Sequence, residues 1–162
     1  MIARTNATRT IVTSSADQTR AFGVALGALA RPGDVIALYG GLGVGKTELA
    51  KGIARGVGVR EVVNSPTFIL MAEYSGRLPF FHLDLYRLDG PTDVLASGLM
   101  DERRASGITV IEWADRMGEL LPPDRLAVTI EGMGEAPRQL VLAADGPAYA
   151  DYLEAVDRWT VT

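Results

Sequence analysis

The chain has 162 residues, 48% of them hydrophobic, a formal net charge of −4 and no cysteine. This composition excludes a disordered chain, disulfide bonds and cysteine-ligated zinc, and it argues against a basic nucleic-acid-binding surface. We therefore expect a single cytoplasmic domain over residues 1–162. No membrane helix is expected, because the longest helical apolar stretch, residues 21–30, is about half the length that a bilayer requires.

The first elements alternate between strand and helix. Residues 10–12 are predicted to form a short strand, followed by a helix over residues 16–30. Ser15, with Gln18 three residues later, is typical of a capping box at the start of that helix. Residues 34–39 are almost continuously apolar, which indicates a parallel strand buried on both faces.

A glycine-rich loop separates this strand from a second predicted helix. Leu49, Ile53 and Val57 are spaced by four, so they share one helical face that can pack on the sheet. Gly56 and Gly58 indicate where the helix ends.

Strands dominate the second half of the chain. Residues 67–74 and 78–85 are predicted to form a hairpin whose second arm enters the sheet. The later elements are a central strand, two late strands and a closing helix, at residues 108–111, 126–130, 139–143 and 149–159. The whole pattern predicts an α/β fold with a mixed, mostly parallel sheet flanked by helices.

The strongest chemical signal is the segment from Gly40 to Thr47. It matches the Walker A pattern through Gly40, Gly41, Leu42, Gly43, Val44, Gly45, Lys46 and Thr47. The predicted strand before it and helix after it supply the required context for ATP binding, in which backbone amides surround the phosphates. Lys46 is expected to reach the β- and γ-phosphates, Thr47 to ligate Mg²⁺, and the adjacent Glu48 to lie at the same site.

Two carboxylates follow apolar strands. Asp84 comes after residues 80–83 and Glu112 after residues 108–111, so either side chain could emerge beside the magnesium ion. Each could equally be a surface charge or a helix cap.

Three further features have two interpretations. Ser65, Pro66 and Thr67 either present hydroxyl groups to the γ-phosphate as a switch or merely cap the next strand. His82 is interpreted as a structural histidine rather than a catalytic one, and Trp113 as a core residue rather than a ligand-stacking one.

In combination, these motifs resemble the bacterial TsaE (YjeE-type) ATPases. The resemblance rests on the Gly-x-Leu-Gly-x-Gly-Lys-Thr loop, Ser65-Pro66-Thr67-Phe68, His82-x-Asp84-x-Tyr86-Arg87 and Ile111-Glu112-Trp113. It implies a P-loop NTPase fold and an ATPase with ATP and Mg²⁺ as cofactors. The implied role is threonylcarbamoylation of the adenosine beside the tRNA anticodon, with a TsaB-TsaD type heterodimer as partner and tRNA reached through that complex.

The resemblance also assigns roles to residues. Thr47, Asp84 and Glu112 match positions associated with magnesium and hydrolysis, and they are the predicted metal ligands. The predicted catalytic residues are Asp84 and Glu112 together with Lys46 of the loop. The Ser65 to Thr67 segment is expected to act as a switch. Gly41 departs from the family, which commonly carries aspartate there. Arg138 is assigned to the nucleotide site only because of its late, glycine-flanked position.

Two alternative functions remain. A small-molecule kinase would share the P-loop but needs an arginine-bearing lid, and no clear lid segment is present. A non-enzymatic, nucleotide-gated interaction module is the other. A GTPase is disfavoured, because neither lysine of the chain lies in an Asn-Lys-x-Asp motif.

Overall fold

The computed structural model describes residues 7–161. Residues 1–6 and 162, which the single-domain prediction includes, lie outside the described residues. The strands are β1 (Ala7–Thr13), β2 (Val35–Tyr39), β3 (Met71–Ser75), β4 (Pro79–Asp84), β5 (Ile108–Glu112), β6 (Arg125–Glu131) and β7 (Arg138–Asp145). The α-helices are α1 (Ala16–Gly27), α2 (Lys46–Val57), α3 (Pro91–Ala96) and α4 (Ala150–Val161), and 3₁₀ helices span Glu102–Ser106, Ala114–Leu120 and Pro147–Tyr149.

The strands form one sheet in the order β1-β7-β6-β2-β5-β4-β3. The central strands β6, β2, β5 and β4 pair in parallel, whereas β1 with β7, β7 with β6, and β3 with β4 pair antiparallel. The predicted mixed sheet is therefore confirmed. Five of the seven strands run in one direction, but only three of the six pairings are parallel, because the two hairpins reverse the chain.

Side chains leave each central strand on alternate faces and enter two separate cores. Ile36 and Leu38 of β2 pack with residues of α1, α2 and α4, whereas Ala37 packs with residues of α3 and the Ala114–Leu120 segment. Burial on both faces explains why the strand sequence is continuously apolar.

Helices α1 and α2 touch through glycines. A Cβ atom on Gly52 would lie 2.1 Å from the carbonyl oxygen of Arg20, and one on Gly27 would lie 2.1 Å from that of Ile53. The two backbones can approach this closely only where side chains are absent. This contact fixes α2, whose first turn contains Lys46 and Thr47.

Several predicted boundaries need correction. Helix α1 ends at Gly27 rather than residue 30, and α3 was not predicted. Residues 67–70 are a turn rather than strand, because the amides of Ile69 and Leu70 both donate to the carbonyl of Pro66. The predicted capping is confirmed only in half: Ser15 Oγ accepts from the Gln18 amide, but Gln18 Oε1 accepts from the amide of Ser14 instead of Ser15.

Among residues 7–161, no helix combines the length and apolar character needed to cross a membrane.

Candidate functional site

The predicted site residues meet at the carboxyl ends of β2, β4 and β5. The glycine-rich loop (residues 40–47) leaves β2, and Asp84 and Glu112 are register partners at the ends of the parallel strands β4 and β5. A cleft of about 400 Å³ lies here. Its lining includes Gly43, Gly45, Lys46, Thr47, Glu48, Ser65, Thr67, Asp84, Tyr86, Glu112 and Trp113.

The loop has a backbone that suits an anion. Gly43 and Gly45 have φ angles of 73° and 118°, in the region that favours glycine. Gly45 is the N-cap of α2 and provides no side-chain hydrogen bond to the first turn. The first-turn amides of a 12-residue helix are therefore without a side-chain cap, and with the helix dipole they favour a negatively charged group.

Lys46 brings a positive charge to the base of the cleft. Its ammonium donates to the carbonyl oxygens of Gly40 and Gly41, at 2.7 and 2.6 Å, and lies 4.3 Å from the centroid of the Trp113 ring. Burial lowers the pKa of Lys46, and the charges of Glu112 and Asp84 oppose that shift. The ammonium is thus oriented by several groups at once rather than free in solvent.

Glu112 connects three elements. Its Oε1 atom accepts a hydrogen bond from Thr47 Oγ1 of α2 at 2.8 Å, and its Oε2 atom lies 2.6 Å from His82 Nε2 of β4. The Glu112 side chain is only 3% exposed. Both carboxylate oxygens are therefore occupied, and the hydroxyl of Thr47 is held beside a buried negative charge.

Asp84 connects β4 to the predicted switch. Its Oδ2 atom accepts from Ser65 Oγ at 2.7 Å and from Thr67 Oγ1 at 2.9 Å, and its Oδ1 atom accepts from the Tyr86 amide at 3.0 Å. The two hydroxyl groups are thus tied to a carboxylate rather than presented freely. This arrangement joins residues 65–67 to the end of β4.

The chemistry of these groups fits a magnesium ion shared with a phosphate ligand. The described residues contain no cluster of three or more His, Cys, Asp or Glu side chains that could hold a metal ion. Mg²⁺ commonly uses only one or two carboxylates and takes its other ligands from water and substrate phosphates. Thr47, Asp84 and Glu112 could together provide such a partial set of oxygen ligands.

Arg138 lies in a second cleft, of about 340 Å³, on the other side of the glycine-rich loop. Its guanidinium donates to the carbonyl oxygens of Val44, Ala136 and Gly134, at 2.8, 2.6 and 2.9 Å. Arg138 therefore clasps the loop to the β6–β7 connection. Glu48 borders both clefts and forms ion pairs with Arg20 and Lys51.

Two residues interpreted as structural lie in or against the site. Trp113 has a left-handed backbone with φ of 57°, and its ring borders the cleft between Lys46 and Tyr86, 5.0 Å from the Tyr86 ring. His82 is fully buried and contacts Glu112. His82 and Asp84 are two residues apart on β4 and therefore share one strand face. That spacing is the feature of the sequence that indicates that the histidine lies near the site.

Comparison with known proteins gives consistent matches. A family model described as "Threonylcarbamoyl adenosine biosynthesis protein TsaE" matches residues 13–140. The tRNA threonylcarbamoyladenosine biosynthesis protein TsaE of Bacillus subtilis is 38% identical over 147 residues, covering 90% of this chain and 92% of its own length. The protein of the same name from Treponema pallidum is 36% identical over 132 residues, covering 82% and 98%. The crystal structure of Bacillus subtilis YdiB superposes with a TM-score of 0.79 at 31% identity, over 98% of this chain and 99% of that one.

Proposed function

The chain belongs to the TsaE family of threonylcarbamoyl adenosine biosynthesis proteins, and we propose that it is a magnesium-dependent P-loop ATPase acting in tRNA threonylcarbamoylation. The proposal includes a P-loop NTPase fold in one domain over residues 1–162. The observation that carries it is the meeting of Lys46, Thr47, Asp84 and Glu112 in one cleft at the carboxyl ends of parallel strands. Such a position is the general ligand site of open α/β sheets.

Phosphate binding is assigned to the glycine-rich loop and Lys46. The first-turn amides of α2 would donate to phosphate oxygens, and Lys46 would exchange the carbonyls of Gly40 and Gly41 for the β- and γ-phosphates. Because Lys46 is only 4% exposed, its charge acts at short range with little screening by solvent.

Magnesium would be held by Thr47 Oγ1 together with Glu112 or Asp84. When bound, the ion supplies neutralisation of the charge on the β- and γ-phosphate oxygens. The carboxylate that does not ligate the ion would orient the attacking water molecule. This division of roles needs two carboxylates side by side, which the Asp84–Glu112 register provides.

The segment Ser65, Pro66 and Thr67 is proposed to sense the γ-phosphate through Asp84. Its two hydroxyls bind the same carboxylate oxygen, so any change in the bonding of that oxygen reaches both residues together. The nucleoside would occupy the second cleft, where Arg138 donates a hydrogen bond to the Val44 carbonyl of the loop.

We further propose that a TsaB-TsaD type transferase heterodimer is the partner and that tRNA is reached through this complex. Hydrolysis by the isolated chain is expected to be slow, because partner-coupled P-loop proteins often require another component for full turnover.

The test is phosphate release with Mg²⁺, alone and with the transferase heterodimer and tRNA, measured together with modified tRNA. Lys46→Ala should abolish ATP binding and hydrolysis. Lys51→Ala is the matched control, since Lys51 is the only other lysine of the sequence, lies on the same helix and is paired with Glu48 at the long distance of 3.8 Å.

The outcomes separate the possible functions. Repeated rounds of modification with wild type and Lys51→Ala, but not with Lys46→Ala, support the proposal. Normal hydrolysis by Lys46→Ala would remove the P-loop assignment. ATP binding without any effect on modification would direct the search to a phosphoryl acceptor and hence a kinase.

Glu112→Gln tests the metal site. Glutamine keeps the shape of the side chain and can still accept from His82, so folding should be preserved while magnesium-dependent turnover falls. Unchanged magnesium dependence in this variant would exclude Glu112 as a metal ligand.

A further inference from the structure

His82 is a polar residue in the interior of a strand that is otherwise apolar until its end. Its neighbours along β4 are Phe81 and Leu83, and its own side chain is fully buried. One nitrogen of its ring, Nδ1, has no hydrogen-bond partner among residues 7–161. A buried polar atom without a partner is unfavourable, so packing alone does not explain a histidine here.

The other ring nitrogen, Nε2, makes a short contact with a carboxylate. His82 Nε2 lies 2.6 Å from Glu112 Oε2. A carboxylate only accepts hydrogen bonds, so Nε2 is the donor. The bond joins β4 to β5 and fills the one oxygen of Glu112 that Thr47 does not use.

Strand register accounts for this contact. His82 is the register partner of Val110, two residues before Glu112 on the neighbouring strand, and residues two apart on a strand share a face. The imidazole ring therefore lies beneath the Glu112 side chain. Its hydrogen bond restricts rotation of the carboxylate group and keeps Oε1 directed at Thr47.

We propose that His82 is a positioning residue: it fixes the Glu112 carboxylate toward Thr47 and thereby sets the affinity of the site for magnesium. The inference rests on the proposed function, because it concerns the same metal site. Hydrogen-bond partners that orient metal ligands typically change metal affinity or activity by about 10- to 100-fold when removed.

Three variants separate positioning from packing. Glutamine can place its amide nitrogen where Nε2 lies, so His82→Gln retains the donor to Glu112. Asparagine is one carbon shorter and cannot reach, although it is equally polar. His82→Leu fills the space without any donor.

The measurement is calorimetric ADP binding to the full-length protein. It is made once with excess EDTA and then, without EDTA, at a series of magnesium concentrations. Half-saturating magnesium for ATP hydrolysis is a second readout. Thermal unfolding is recorded for each variant without ligand.

We expect metal-free ADP affinity to stay within about twofold of wild type in all variants, because the hydrogen bond and the ring contact of His82 are to Glu112 and Phe80 rather than to the glycine-rich loop. Half-saturating magnesium should rise by about tenfold or more in His82→Leu and His82→Asn, and return to within about threefold of wild type in His82→Gln. Should the leucine variant fail to fold, the comparison of glutamine with asparagine decides alone.

Equal magnesium titrations for glutamine and asparagine would overturn the inference, as would an equal loss of metal-free ADP binding in both. Failure of the proposed function looks different, because wild type itself would then bind ADP without any effect of magnesium.

Discussion

Substitution of Gly52 by alanine tests whether the close contact between α1 and α2 positions the site. The new Cβ atom would lie 2.1 Å from the Arg20 carbonyl oxygen and 2.9 Å from the Arg20 Cα atom. Both are backbone atoms of a helix, so no flexible side chain can move aside. The helices must separate by about 1 Å, and overpacking against rigid backbone atoms costs about 3 kcal/mol.

A second effect has the opposite sign. Alanine in a helix interior is favoured over glycine by about 1 kcal/mol, so the net loss of unfolding free energy is about 2 kcal/mol. For a chain of this size, that lowers Tm by about 4–8 °C. The same shift moves the first turn of α2, and a displacement of about 1 Å can reduce turnover about 100-fold.

Thermal unfolding measures the first effect and magnesium-dependent ATP hydrolysis the second. Gly41→Ala is the control for stability, since a Cβ atom there would meet no atom within 4 Å from the described residues other than its chain neighbours. Without the clash, helix propensity alone would raise Tm in Gly52→Ala. A raised or unchanged Tm would therefore refute the argument that the glycines permit a contact which larger residues prevent.

Gly41→Asp restores the carboxylate implied by the family resemblance; we expect Tm within about 2 °C of wild type, because the position is open, and a severalfold rise in turnover with unchanged ATP binding. Unchanged kcat would show that this carboxylate has no role here. Arg138→Ala should lower the free energy of unfolding by about 1–2 kcal/mol and weaken ADP binding, because the hydrogen bond from Arg138 to the Val44 carbonyl is lost. Denaturant unfolding measures the first effect and calorimetry the second. Asp84→Asn should leave Tm nearly unchanged but speed amide hydrogen exchange over residues 67–70, because the carboxylate that holds the hydroxyls of Ser65 and Thr67 is replaced by a weaker, uncharged acceptor. Slower or equal exchange would contradict the tie between Asp84 and that segment.

The elements that the sequence predicted well are those whose signal is local. The predicted strand at residues 34–39 is almost continuously apolar, and the one at residues 108–111 is similar, so both appear, as β2 and β5. The sequence wrongly predicts a strand at residues 67–70 because Thr67, Phe68 and Ile69 are β-favouring residues. In the structure Phe68 is 83% exposed and Leu70 has a φ of 70°, so this segment is a turn whose hydrophobicity does not report burial.

The site residues likewise fall into those placed by a local motif and those placed by the tertiary fold. Lys46 and Thr47 belong to one contiguous motif, and their placement follows from the strand and helix on either side. The contact of His82 with Glu112 joins residues 30 apart and depends on the register of β4 against β5. Nothing in a single sequence specifies which strands are neighbours. The position of Trp113 depends on a left-handed backbone angle that a non-glycine residue seldom adopts.

The two carboxylates differ in what holds them, and this difference assigns them different parts in the proposed function. Glu112 is bound by Thr47 of α2 and His82 of β4, both in regular elements packed in the core. Asp84 Oδ2 is bound by Ser65, which lies in a loop, and by Thr67, the first residue of the turn over residues 67–70. A ligand that competes for Asp84 Oδ2 releases the hydroxyls of Ser65 and Thr67. A ligand that binds Glu112 finds a carboxylate whose orientation is held by residues of regular elements. Glu112 is therefore suited to set the position of the metal, and Asp84 to transmit the state of the γ-phosphate to the surface.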